Sequence, residues 1–189
     1  IILRRGISVP GTGVLSPPID FDNAESFAAA TANLTVTSLE PADGEARVET
    51  SFRSSGGTSS TLSVLRMSSA SNTRAYGAIP AGDLDTGELQ VFRIATNAAG
   101  GSQITYAHFG AVADRSVAIG PALATPTVGN AATTPNLRPR VQLPLQAEYD
   151  RSVWARFQQS APHHVSIEAT SAYLGNPSSW DITVPDFSE

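Results

Sequence analysis

Residues 45–53 read EARVETSFR. Ala46, Val48, Thr50 and Phe52 share one parity, while Glu45, Arg47, Glu49 and Arg53 share the other. Neighbouring side chains of a strand point to opposite faces, so this stretch reads as a half-buried antiparallel strand with a charged outer face. Reading outward, the same period of two recurs at 33–39, 61–67, 74–79, 88–96, 102–109 and 115–119. Turn-forming stretches separate these runs: PADGE at 41–45, SSGG at 54–57 and NAAGG at 97–101. Seven strands spaced about ten residues apart are what one small β-sandwich requires.

GPALATPT, residues 120–127, reads as a linker, and a second set of strands follows at 126–132, 138–146, 151–159, 164–173 and 179–185. Pro139 and Pro144 each remove a ladder donor, which predicts that 138–146 lies on a sheet edge or is bulged. The expected fold is therefore all-β: tandem antiparallel sandwich modules over 30–120 and 121–189, the second smaller and sharing a core with the first or folding beside it. An extended arm with one short helix, residues 1–29, precedes them. The helix is expected near 23–31, because Asp22 and Glu25 have capping-box spacing, the Ala run favours helix, and Phe27 supplies an anchor.

The alternating strands, with YDRSVWARFQ at 149–158 and SWDITVPDF at 179–187, resemble the fibronectin type III and immunoglobulin-like modules of bacterial surface and secreted proteins over residues 30–187. The resemblance implies a sandwich scaffold, which carries many functions and fixes none.

Composition excludes several chemistries. With 189 residues, 41 % hydrophobic and 15 % charged, the chain has material for two modest cores under a hydroxyl-rich surface. A net charge of −5 with no basic block beyond Arg4-Arg5 argues against nucleic-acid binding, which needs clustered cations to displace phosphate counterions. All 12 cations are arginine, so lysine-dependent phosphate loops, Schiff bases and Lys-to-Asn isopeptide crosslinks are ruled out. The absence of Cys removes disulfides and thiolate metal sites, and is compatible with a secreted, cell-surface or periplasmic setting. The start at Ile1 suggests a processed product, and no apolar run reaches the roughly 18 residues of a membrane helix.

Catalytic and metal readings are weak. Asp20-Phe21-Asp22-Asn23-Ala24-Glu25 offers alternating oxygens but lacks the central glycine and spacing of a calcium loop. Asp83 and Asp85 are better explained as turn residues. His163 and His164 are adjacent on an expected strand and point apart, and His108 stands alone. No serine sits in a nucleophile elbow. Neither catalytic residues, nor a cofactor, nor a metal is expected. Asn33-Leu34-Thr35 forms a glycosylation sequon. Trp154 lies opposite Val153 and Phe157 in strand phase; it is expected to cover a buried face between modules rather than to join Tyr106, Tyr149 and Tyr173 in a sugar platform.

The arm stands out. Pro10, Pro17 and Pro18 prevent a helix, yet Ile1, Ile2, Leu3, Ile7 and Val9 are too apolar for a solvated tail. Such a segment either packs on its own sandwich or completes a neighbour's sheet. The expected function is a non-enzymatic structural subunit of an extracellular or cell-envelope assembly, whose partners are copies of itself or other envelope proteins. The alternative is a carbohydrate-binding or adhesive module with a glycan partner; a hydrolase would need an acidic cleft that no spacing announces.

Overall fold

A computed structural model describes residues 1–7, 11, 13, 15, 17–22, 25–39, 44–98, 101–160 and 163–186, with backbone alone at 98, 101, 159 and 160. Among these residues the chain forms twelve strands and two short 3₁₀ turns, and it divides into two compact units, Ile1–Ile119 and Gly120–Glu189. No helix among them is long and apolar enough to cross a membrane.

The first unit contains β1 (Ala30–Thr37), β2 (Ala46–Arg53), β3 (Ser59–Met67), β4 (Thr73–Ala78), β5 (Leu89–Ala98), β6 (Gly101–Phe109) and β7 (Arg115–Ala118). They form a three-stranded sheet ordered β4-β1-β7 and a four-stranded sheet ordered β3-β2-β5-β6. Pairing is antiparallel except between β1 and β7, which run parallel from Leu34 opposite Arg115 to Thr37 opposite Ala118. An immunoglobulin constant domain orders its strands A-B-E-D and C-F-G. Lettered the same way, this unit reads D-A-G and C-B-E-F. It keeps the seven strands and two sheets of a sandwich with a different pairing.

The alternation of β2 is realised as expected: Ala46, Val48, Thr50 and Phe52 are buried and Arg47 and Arg53 exposed. Leu34 and Val36 from β1 and Tyr76 from β4 meet Val48, Phe92, Ile94 and Phe109 of the other sheet in one core. Tyr76 stands edge-on to Phe92 with centroids 4.8 Å apart, and Phe92 stacks on Phe109 at 4.5 Å. The Tyr76 hydroxyl donates to the Ala113 carbonyl at 2.8 Å, so the ring's polar end is satisfied. The turn at 54–57 closes the β2–β3 hairpin, with Ser54 N–H donating to Thr58 O and Gly57 at φ 85°, a conformation that favours glycine.

The second unit contains β8 (Thr127–Ala132), β9 (Arg138–Pro144), β10 (Ser152–Ser160), β11 (His163–Thr170) and β12 (Ser179–Thr183), as a sheet ordered β12-β9-β8 and a separate hairpin β10-β11. Trp180 is buried and its Nε1 donates to Tyr149 O at 3.2 Å. Gln146 accepts from Ala124 N and donates to Ala122 O, tying the 121–124 stretch to this unit.

One expectation is met in half and another needs correction. β9 is the central strand and not an edge, but the alternative, a bulge, is present in its pairing with β8. It accommodates its prolines because its neighbours are staggered: Pro144 pairs with Ser179 of β12 beyond the end of β8, and Pro139 pairs with Asn130 of β8 beyond the end of β12. The β8–β9 register also shifts between Asn130 and Ala132, a bulge beside Pro139. The helix near 23–31 does not form in the described residues, which run from a turn at Glu25 through a bridge at Ser26 into β1; Asn23 and Ala24 lie outside them. Helix propensity contributes only tenths of a kcal/mol per residue. Here Asp22 N–H goes to Asp20 Oδ1, Glu25 is engaged by Arg4, and the Phe27 backbone pairs with Ile1.

Candidate functional site: the arm and its groove

Residues 1–5 lie against their own unit. Ile2 forms an isolated antiparallel bridge with Ser26, framed by Ile1 N donating to Phe27 O at 2.7 Å and Phe27 N donating to Ile1 O at 2.9 Å. This is one rung of a strand, extending the backbone that leads into β1.

Two arginines secure the rung. Arg4 donates from Nε to Glu25 Oε2 at 2.9 Å and from Nη2 to Glu25 Oε1, and its Nη2 also reaches Pro18 O at 2.8 Å. Arg5 grips Glu88 as a fork, Nε to Oε1 at 2.8 Å and Nη2 to Oε2 at 2.6 Å, while Nη2 also donates to Asp83 O and Nε lies 3.0 Å from Asp85 Oδ2. A bidentate guanidinium–carboxylate pair fixes orientation as well as charge. The Glu88 side chain is only 3 % exposed and accepts a further bond from Asp85 N at 2.9 Å. Hydrogen bonding from Arg5 therefore holds the Glu88 carboxyl below its ordinary value, and the same bond raises the guanidinium. Arg4 is raised likewise by its bond to Glu25.

Between the arm and the rest of the unit lies a groove of about 690 Å³, its apolar wall made by Phe52, Leu62 and Ile79. Leu62 reaches it through a bulge: Thr50 opposes Ser63 and Ser51 opposes Thr61, which leaves Leu62 as the extra residue of β3. Bulges commonly re-aim a side chain in this way. Ile79 follows β4, where both its backbone groups are held by Gln90, Ile79 N to Oε1 at 2.7 Å and Nε2 to Ile79 O at 2.9 Å.

Of the five arm residues singled out by sequence, Ile1, Ile2 and Leu3 are half-buried along this groove, Ile7 lines it while 42 % exposed, and Val9 lies outside the described residues. Sequence reading missed Glu88, which sits 83 positions from Arg5 with no spacing signal, and the groove wall. Leu62 did leave a trace: Leu62 and Val64 run in one parity and Leu65 and Met67 in the other, the phase slip a bulge produces.

Trp154 is 63 % exposed, and Tyr106 and Tyr173 are exposed as well. Tyr149 is half-buried and donates to Pro121 O. His108 lies with Asp114 and Arg115 beside a cavity of about 360 Å³ next to β6 and β7. Among the described residues no three His, Cys, Asp or Glu side chains converge as metal ligands. No protein-family model and no curated protein matches this chain.

The clamp is acid-sensitive. A carboxyl held below its ordinary value of 4.5 favours the ionised, attached state, so its contribution is complete above that pH and is lost as pH falls through the lowered folded-state value. A polarity-sensitive dye on Ile7→Cys, in a chain with no other cysteine, is expected to report arm release only below pH 4.5. In Glu88→Gln the released signal is expected already at neutral pH. A Glu88→Gln curve that superimposes on the parent's would show that this carboxylate does not hold the arm.

Proposed function

We propose that the protein is a non-enzymatic structural subunit of an extracellular or cell-envelope assembly, exported to the surface or periplasm, in which residues 1–7 of one copy complete the groove of a neighbour by strand addition. The observation that carries this reading is the Ile2–Ser26 bridge beside a partly filled apolar groove. The Ser26–Phe27 backbone, Glu25, Glu88 and the Phe52–Leu62–Ile79 wall belong to the body of the unit, so a neighbour's arm meets these same partners, while the Pro18 carbonyl that Arg4 also reaches lies in the connecting stretch. Exchange of an identical element between copies therefore adds little energetic cost, and a head-to-tail exchange propagates without closing. The stretch between arm and body carries Pro10, Gly11, Gly13, Pro17 and Pro18, a sequence suited to either route.

Cross-strand partners sit about 4.5–5.5 Å apart at Cα, within disulfide reach. Ile2→Cys/Ser26→Cys, oxidised at rising protein concentration, is expected to give a ladder of covalent multimers on a non-reducing gel. A single intramolecular species at every concentration would sink arm exchange.

A second reading, carbohydrate binding, draws on Trp154 standing exposed on the outer face of the β10–β11 hairpin opposite Glu168. A glycan array on which Trp154→Ala binds as well as the parent removes it.

A further inference from the structure

Two exposed features of the first unit complement each other. The outer face of the four-stranded sheet places Arg47 directly opposite Arg66, Glu49 opposite Arg93, and Arg93 opposite Tyr106. Like charges facing each other across strands are destabilising. Glu49 and Glu45 relieve this in part, each 2.8 Å from its arginine, Arg47 and Arg66 respectively. With Arg53 included, four cations against those two carboxylates leave the face positive on a chain of net charge −5. Val64, Ile104 and Tyr106 are exposed on the same face. Tyrosine and arginine around apolar side chains is the composition of a protein-docking surface.

The complement is the turn at 19–22. Ile19 and Phe21 are 49 % and 67 % exposed and alternate with exposed Asp20 and Asp22. The turn is shaped, since Asp22 N donates to Asp20 Oδ1 at 2.9 Å and Ser26 Oγ donates to Phe21 O at 2.8 Å. It presents two apolar groups and two carboxylates, all exposed, at the tip of one turn.

We propose that the 19–22 tip of one copy docks on the outer face of the β3-β2-β5-β6 sheet of a second copy, its carboxylates on Arg47 and Arg66 and its Phe21 beside Tyr106. The docking deepens the assembly reading, on which it rests, by naming a second contact between subunits. Tip and face are different surfaces, so the contact is heterologous and repeats from copy to copy. A protein occupant suits the face better than a polysaccharide, because Val64 and Ile104 offer apolar contact and the matching acidic, apolar tip is carried by the same chain.

The test separates the two contacts. Ile1→Cys/Phe27→Cys joins residues that exchange both backbone hydrogen bonds and so sit about 5.5 Å apart at Cα. Taken as the intramolecularly oxidised species, it cannot exchange its arm, and it keeps the Ser26 hydroxyl that shapes the tip. Sedimentation velocity of this locked protein is expected to show reversible association that weakens with salt. Arg47→Glu/Arg66→Glu on the locked background should weaken it at least tenfold, as should Asp22→Arg, which leaves the Asp20 carboxylate able to accept the residue-22 N–H. The two variants mixed should associate again, because the face variant keeps the parent tip and the tip variant keeps the parent face. Association untouched by both changes, or not restored in the mixture, overturns the docking. A locked protein that stays monomeric at every concentration also overturns it, and intermolecular crosslinks in the unlocked protein would then leave arm exchange standing alone.

Discussion

Gln90→Leu is expected to cost the first unit about 2–5 kcal/mol, seen as a lower urea midpoint at unchanged slope. Gln90 is fully buried in β5, and its amide serves both backbone groups of Ile79. The β1–β4 pairing reaches only Ala30 opposite Ala78, so Ile79 has stepped past that register. The Gln90 side chain takes the place of the missing strand. Leucine fills similar volume but leaves a buried N–H and a buried C=O without partners, each a penalty of about 1–3 kcal/mol. Because Ile79 also walls the groove, the variant should loosen the arm as well. A loss under about 1 kcal/mol would mean that the amide is not what holds Ile79.

Phe92→Ala is expected to lose about 3–5 kcal/mol, the usual result of truncating a fully buried aromatic ring. Phe92 is the ring that Tyr76 meets edge-on and Phe109 stacks against, so its removal leaves a void at the centre of the core linking the two sheets. Tyr76→Phe keeps all three rings and removes only the hydroxyl that bonds Ala113 O, at a cost of about 1 kcal/mol. Calorimetry of the whole chain should show the transition of residues 1–119 falling steeply for Phe92→Ala and slightly for Tyr76→Phe. Equal shifts would contradict a core organised around Phe92.

The strands were legible because burial on one face writes a period of two directly into residue choice. EARVETSFR became β2 with the expected parity, and the other eleven strands formed close to the positions of their alternating runs. What alternation cannot encode is which strands pair. Nothing in RSVA at 115–118 announces a parallel partner 81 positions earlier, and the prolines of β9 pointed to an edge or a bulge, of which only the bulge is found, because tolerance in a central strand depends on the stagger of β8 and β12. The failed helix is a local propensity overruled by distant partners, Ile1 on Phe27 and Arg4 on Glu25. Arm chemistry was half readable for the same reason. The apolar residues declared themselves against a proline-rich background, whereas Glu88, the carboxylate that anchors Arg5, looks like any turn residue until the fold brings the two together.

The parallel β1–β7 pair decides how the first unit answers to tension. The chain enters β1 at Ala30 and leaves β7 at Ala118, with the two strands side by side and pointing the same way. A pull between the start of β1 and the end of β7 therefore drags these strands past one another along their length. Their hydrogen bonds are loaded together in shear rather than opened one at a time, and rupture under force is governed by the unfolding barrier rather than by equilibrium stability. Extension should thus meet a single mechanical lock at residues 34–37 and 115–118, and strain on this body would be carried without gradual fraying until that lock gives way.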